Sequence, residues 1–359
     1  MKKINKKMNK KKKIIMICGV LAIIVIAVAT FFISGSFTTR KKLLADGNKV
    51  ITGKNIQGKA LGESVSYNDK EYVYNNNLVN ILVLGVDLQT GVSESNPAGS
   101  MGQSDAMYLI SVDVKKDSVK VYGIPRDSMS EVEVYNTDNK LVQIANAQIT
   151  LQYAFGNNSE RSSELSAKSV SGLMYGIPIH RVCVFNYEAI AVINDAVGGV
   201  EVTFENDFSD ESGINFEPEF IKGNTITLNS EQAFDFLWER DCNMQDSALD
   251  RLSRQEQYIT NLVAKFKTKI KKKPWSVIDV IKQLNDKDSI YTDMSTSEIL
   301  YLSQKAVQSG LDIENVQTLP GKNSMGDEYV EYNIDNEQLK EMIVEGFYKE
   351  IVEPESIRH

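Results

Sequence analysis

The chain has 359 residues, and its 48 acidic side chains against 40 basic ones give a formal charge of −8. A negative balance is wrong for gripping nucleic acid, whose affinity for proteins comes largely from lysine and arginine neutralising phosphates. With only two histidines, His180 and His359, a zinc centre of the usual His/Cys type is excluded, as is any Ser-His-Asp triad not built on His180. Chemistry here would have to run on carboxylates and arginines, with or without a hard metal ion.

Residues 1–13 form a lysine-rich tail, with eight lysines and no acid. Ile14 to Ile33 is an uncharged apolar run of 20 positions, close to the ~20 residues an α-helix needs to cross a bilayer. Positive residues stay on the cytoplasmic side, so this arrangement predicts a single-pass anchor with an extracytoplasmic domain. The rival is a cleaved signal peptide, but its apolar core would be ~7–15 residues followed by a small-residue cleavage site. Ser34-Gly35-Ser36 is a weak substitute for that site. Beyond the anchor, 32 basic and 48 acidic side chains remain, a formal charge of −16.

Residues 34–76 read as a stalk, with a short strand near Tyr72 to Tyr74. A single α/β domain is expected over 77–350, with a short tail at 351–359. Leu78 to Val86 is a continuous apolar run that suits a strand buried on both faces. A loop from Leu88 to Ser104 follows, then strands at Ala106 to Val114 and Val119 to Ile124. Their four-residue link predicts an antiparallel hairpin. Cys183 sits in an apolar strand pattern and Cys242 follows a helix; two unpaired thiols, or a bridge between them, fit the spacing. Asn229 to Glu239 opens with Asn-x-x-Gln, a capping-box pattern, and reads as a helix. Leu252 to Phe266 reads as a second, with its apolar stripe at 252, 259, 262, 263 and 266. A strand is expected at Val316 to Leu319.

Asp87 ends the first buried strand, Asp105 precedes the second, and Arg126 follows the third. If the second strand runs antiparallel to the first, all three meet at one edge of the sheet. Two carboxylates beside substrate phosphates are a common way to hold magnesium, and arginine supplies a planar fork for phosphate oxygens. Equally, aspartates at strand ends cap turns. Arg251, Arg254 and Tyr258 fall on one helix face, opposite the Leu252/Ile259/Val263 stripe, with Arg240 at the end of the preceding helix. That suits a polyanionic ligand, or a solvated face paired with Asp246, Asp250 and Glu256. Lys265, Lys267, Lys269 and Lys271 to Lys273 make a basic patch that is solvated or touches an anionic lipid or wall polymer. His180 reads as structural.

Taken in order, VNILVLGVD (79–87), QSDAMYLISVD (103–113), VYGIPRD (121–127), SGLMYGIPIHRVCVFNYEAI (171–190), INDAVGGVEV (193–202), TLNSEQAFDFLWERD (227–241) and RLSRQ (251–255) resemble the LytR-CpsA-Psr family of Gram-positive envelope proteins. The resemblance implies an αβα sandwich around a central mixed β-sheet behind one transmembrane helix. It implies a phosphotransferase that moves an anionic glycopolymer, such as teichoic acid or capsular polysaccharide, from a polyprenyl-pyrophosphate carrier to peptidoglycan. It puts Mg²⁺ (or Mn²⁺) on Asp87 and Asp105, and pyrophosphate on Arg126, Arg240, Arg251, Arg254 and Gln255. The lipid tail would lie in an apolar tunnel under the sheet, and Asp127 or Asp105 would take the acceptor proton. The chain departs from the family where Gln103 and Trp238 replace arginines, Gln143 a lysine and Ala248 an acid. Those losses admit a second reading, a weakened paralogue that binds polyprenyl-phosphate lipids in envelope assembly. They also admit a third, a pyrophosphatase that uses water as the acceptor.

Overall fold

The computed structural model describes residues 63–352 apart from 89, 207–218, 239–246, 274, 275, 309–315, 327 and 328, together with 39, 40, 42, 43, 57 and 59. The anchor expected at 14–33, the tail from 353, Cys18 and Cys242 lie outside the described residues. Among the described residues no helix is long and apolar enough to cross a membrane.

In chain order the strands are β1 (Val65–Tyr67), β2 (Lys70–Tyr74), β3 (Leu78–Val86), β4 (Ser104–Asp113), β5 (Ser118–Gly123), β6 (Met129–Tyr135), β7 (Leu141–Gln148), β8 (Arg181–Asn186), β9 (Val200–Thr203), β10 (Thr225–Leu228), β11 (Ile290–Thr292), β12 (Val316–Thr318), β13 (Gly321–Met325), β14 (Val330–Ile334) and β15 (Tyr348–Glu350). The helices are α1 (Ser159–Leu173), α2 (Glu188–Val197), α3 (Ser230–Trp238), α4 (Ser247–Lys272), α5 (Ser276–Asp286), α6 (Thr296–Gln308) and α7 (Asn336–Phe347).

Six strands form the central mixed sheet, in the order β11-β8-β3-β4-β5-β12. Next to β3, β4 runs antiparallel and β8 parallel. The β4–β5 hairpin turns at the four-residue link, where the Asp113 carboxylate accepts the amides of Lys115 and Lys116 at 2.9 and 3.0 Å. Burial opposes ionisation of Asp113, but Asn75 and those two amides outweigh it and hold the carboxyl below its usual range.

β3 shows why its run carries no polar alternation: both faces are covered. Leu82, Leu84 and Val86 join Met107, Leu109 and Tyr122 on one side, under Ala167 and Val170 of α1 and Leu339, Ile343 and Phe347 of α7. Tyr122 stacks on Phe347 with ring centroids 4.9 Å apart. On the other side Val79 and Ile81 pack with Tyr301 and Leu302 of α6, while Cys183, as a free buried thiol, packs with Val280 and Leu284 of α5. The result is three layers, helices on both faces of a mixed sheet.

A separate cluster joins the β9–β10 hairpin to α3 and α4, with Phe204 stacked on Phe220 at 4.6 Å and edge-on to Phe236 at 5.3 Å. The expected capping box at Asn229 forms reciprocally. Gln232 N donates to Asn229 Oδ1 at 2.9 Å, and Asn229 N donates to Gln232 Oε1 at 3.0 Å. The strand expected near Tyr72 to Tyr74 is the end of β2, which lies between β1 and β15 in a three-stranded sheet. The end of the segment read as a stalk, from Val65, is therefore tied to the far end of the domain by main-chain bonds.

His180 is structural. Its Nδ1 accepts the Asn80 amide at 3.0 Å while its own amide donates to Asn80 O at 2.8 Å. Burial, with Arg181 adding to it, lowers the imidazole pKa to about 4.

Candidate active site

The strand-end arrangement is built by a bulge. Along the β3–β4 ladder Gly85 pairs with Ala106 and Val86 with Ser104, so Asp105 is the extra residue. Regular alternation would turn Asp105 to the same face as the buried Met107 and Leu109. The bulge breaks that period and re-aims the carboxylate. β4 thus begins at Ser104, two residues before the expected start at Ala106, and Asp105 lies inside the strand rather than just ahead of it.

From there a chain of polar contacts runs across the strand ends. Arg126, just past β5, puts Nη1 on Asp105 Oδ1 and donates Nη2 to Gln103 Oε1 at 3.1 Å. Its Nε lies 3.6 Å from Asp127 Oδ1, which also accepts Gln148 Nε2 at 2.8 Å. Gln103 then donates its backbone amide to Asp87 Oδ1. Asp87, Asp105, Arg126 and Asp127 are thus brought together, and Gln103 links the two halves. All three nitrogens of the Arg126 fork face protein oxygens, but only two of its five N–H groups are engaged at hydrogen-bond distance, so a phosphate could share the fork with them or displace one.

Gly102 is required by this geometry. Its φ is +77°, and a β-carbon there would stand 2.6 Å from Asp87 Oδ1. The 3₁₀ turn at Ile149–Phe155 supports the other flank: Thr150 N donates to Arg126 O at 3.1 Å, and Thr150 Oγ1 to Ser104 O at 3.0 Å.

No cluster of three or more His, Cys, Asp or Glu able to hold a metal occurs among the described residues. Magnesium, however, takes hard oxygens, keeps several waters and is commonly bound by one or two carboxylates plus substrate phosphates. Asp87 and Asp105 are donors of that kind, although Asp87 commits one oxygen to the Gln103 amide and Asp105 one to the Arg126 guanidinium. The donor set fits.

The arginine helix behaves differently. Arg240 and the side chain of Arg251 lie outside the described residues. Arg254 is buried, 6 % exposed, and donates Nη1 to Phe236 O while its guanidinium lies 5.6 Å from the Phe236 ring centre. Gln255 Nε2 reaches Leu237 O at 3.2 Å. Both residues therefore satisfy carbonyls in the last turn of α3, groups a helix end leaves orphaned. The face carrying Arg254 and Tyr258 is an inward face, not a solvated one: Tyr258 is 3 % exposed and bonds Asn194 Oδ1 at 3.2 Å, whereas Ile259 and Val263 of the expected stripe are only half-buried. Two inward aromatic and cationic side chains with long apolar bodies outweighed a periodicity count that scored only aliphatic residues.

Gln148 and Thr150 were not read from the sequence as part of the site. Gln148 reaches Asp127 only because the β6–β7 hairpin folds back on itself, pairing Met129 with Gln148, and no local signal marks that. Gln103 was visible only as a departure from a pattern, yet it occupies the centre of the network.

The chain matches the LytR_cpsA_psr family over residues 30–346. It is 30% identical over 244 residues to the polyisoprenyl-teichoic acid–peptidoglycan teichoic acid transferase TagU of Oceanobacillus iheyensis, a match spanning 67% of this chain and 61% of that protein. It is 27% identical to TagU of Bacillus cereus (strain AH820), over 71% of this chain and 72% of the relative. Among solved structures, Bacillus subtilis TagV superposes with a TM-score of 0.53 at 21% identity, covering 75% of this chain and 96% of TagV, a likeness of fold.

Proposed function

Since the chain belongs to the LytR_cpsA_psr family, we propose that it transfers an anionic glycopolymer from a polyprenyl-pyrophosphate carrier to peptidoglycan, working from a single-pass anchor on the outer face of the cell membrane. The relatives named above act on polyisoprenyl-linked teichoic acid and peptidoglycan. The observation that carries the proposal is the Asp87–Gln103–Arg126–Asp105 linkage at one end of the central sheet.

In the reaction a peptidoglycan hydroxyl attacks the glycan-bearing phosphorus. The new P–O bond forms as the bond to the lipid phosphate breaks, so polyprenyl monophosphate leaves and a phosphodiester remains. Charge grows on the bridging and outer oxygens, where Arg126 would exchange a protein oxygen for a phosphoryl one. The hydroxyl proton goes to a carboxylate beside that arginine, Asp105 or Asp127. Magnesium held by Asp87 and Asp105 would neutralise pyrophosphate charge. Arg240 and Arg251 would complete the cationic set, whereas Arg254 and Gln255 hold the α3–α4 joint.

A second reading, lipid binding without transfer, is favoured by Gln103, which brings an acceptor for Arg126 where the related pattern has a cation. The test is turnover of a polyprenyl-pyrophosphate glycan by the full chain in neutral detergent with magnesium, with and without peptidoglycan. Acceptor-dependent transfer supports the enzyme. Carrier binding with no product supports the second reading, and phosphate release without acceptor indicates a pyrophosphatase.

A further inference from the structure

The lysine run at the end of α4 has no part in the site described above, yet it lines an open groove of about 680 Å³. Lys265, Thr268, Lys269 and Lys272 of α4 face Val197 and Gly198 at the end of α2. No carboxylate lines the groove among the described residues. The nearby Asp279 is held by Lys273 at 2.8 Å; that hydrogen bond, with the charges of Lys273, Lys269 and Lys282, pulls its carboxyl below the usual range.

A helix-capping role accounts for part of this. Lys265 Nζ donates to Gly199 O at 2.5 Å, and Lys269 Nζ to Ala196 O, so both serve carbonyls at the end of α2. Each ammonium has three donors and spends one there. Lys272 is exposed and takes no part in the cap. The carbonyls hold two of the cations on the groove floor rather than letting them extend into solvent. Spacings of four and three residues put the lysines on one face, at steps of roughly 6 and 4.5 Å along the axis. A row of positive charge along this shallow, open groove, with no carboxylate lining it among the described residues, suits a chain carrying spaced negative charges.

We propose that this groove between α2 and α4 binds a phosphodiester polymer and holds the anionic glycopolymer away from its reacting end. The identity of the polymer rests on the transfer reaction proposed above; the binding site does not.

The probe is a short poly(glycerol phosphate), titrated calorimetrically into the full-length protein in neutral detergent at several salt concentrations. Carrier, acceptor and metal are absent, so a protein unable to transfer would still bind. Lys272→Gln should weaken binding about five-fold and reduce the slope of log K against log salt by about one. The double variant Lys265→Met/Lys269→Met should weaken it further; because those lysines cap α2, its helix content is checked by circular dichroism, and Lys272→Gln carries the test if the double variant unfolds. Equal affinity in native and Lys272→Gln proteins would overturn the proposal. So would a Lys272→Gln protein that keeps the polymer but loses a soluble short-chain phosphatidylglycerol, which would make the groove a lipid-headgroup surface.

Discussion

Two regions carry the cationic residues that the motifs single out, and they use them in opposite ways. At the strand ends, Arg126 is half-buried, and its fork is shared among Asp105, Gln103 and Asp127 without reaching the apolar core. At the α3–α4 joint, Arg254 is almost fully buried and is spent on a helix carbonyl and an aromatic ring. The first arrangement can trade a protein oxygen for a phosphate oxygen at modest cost. The second cannot release its arginine without orphaning a carbonyl. An arginine in a motif is thus a ligand group or a structural group according to what lies behind it.

The largest effect should come from Arg126→Ala. Removing one preorganised donor from a developing phosphoryl charge costs about 10²–10³ in rate, while its partly exposed ion pairs contribute no more than about 1 kcal/mol of stability. Transfer assays beside urea titrations check both halves; a large loss of stability would place Arg126 with Arg254 instead.

Acid should act on the sheet that supports the first region. The folded His180 has a pKa of about 4, below its ordinary 6.5. The unfolded chain therefore binds the proton first as pH falls. Stability is full above pH 6.5 and declines by about 3 kcal/mol between 6.5 and 4. The proton would set an N–H against the Asn80 amide, which now donates to that nitrogen. Urea unfolding at pH 7 and pH 4 should show this loss in the native protein and a smaller one in His180→Gln.

Arg254→Ala should cost about 2–3 kcal/mol of stability, from the lost carbonyl bond, ring contact and buried stem. Equilibrium unfolding reads it directly, and a variant as stable as the native chain would erase the contrast between the regions. The smallest effect is expected for Gly102→Ala, at about 1–2 kcal/mol for a β-carbon at positive φ. Because that β-carbon would also press on the Asp87 carboxylate, magnesium affinity measured by calorimetry should fall in parallel.

What the sequence made legible follows from how each element hides its surface. β3, β4 and β5 were readable because they bury aliphatic residues in long runs between turn residues, and their antiparallel order then placed Asp87, Asp105 and Arg126 together. α1 escaped notice since its packed residues are mostly serine and alanine, among them Ser162, Ser163, Ser166 and Ala167, with only Leu165 and Val170 as larger apolar side chains, too few for an apolar stripe. Small side chains let that helix lie close, with Ser166 Oγ returning to Ser162 O at 2.9 Å. The β6–β7 hairpin was also missed: a register shift at Val134/Tyr135 interrupts its alternation, and Leu141, Val142 and Ile144 stay exposed. The contacts of Gln103 and Gln148 depend on register across strands, which no local pattern encodes.

The most direct test follows both products of a labelled polyprenyl-pyrophosphate glycan, polyprenyl monophosphate and peptidoglycan-bound polymer, in native and Arg126→Ala proteins with magnesium and acceptor present. The native chain should form both in equal amounts, and the variant neither, while unfolding at nearly the native urea concentration. A variant that unfolds normally and still transfers at the native rate would contradict the assignment of the chemistry to this edge of the sheet.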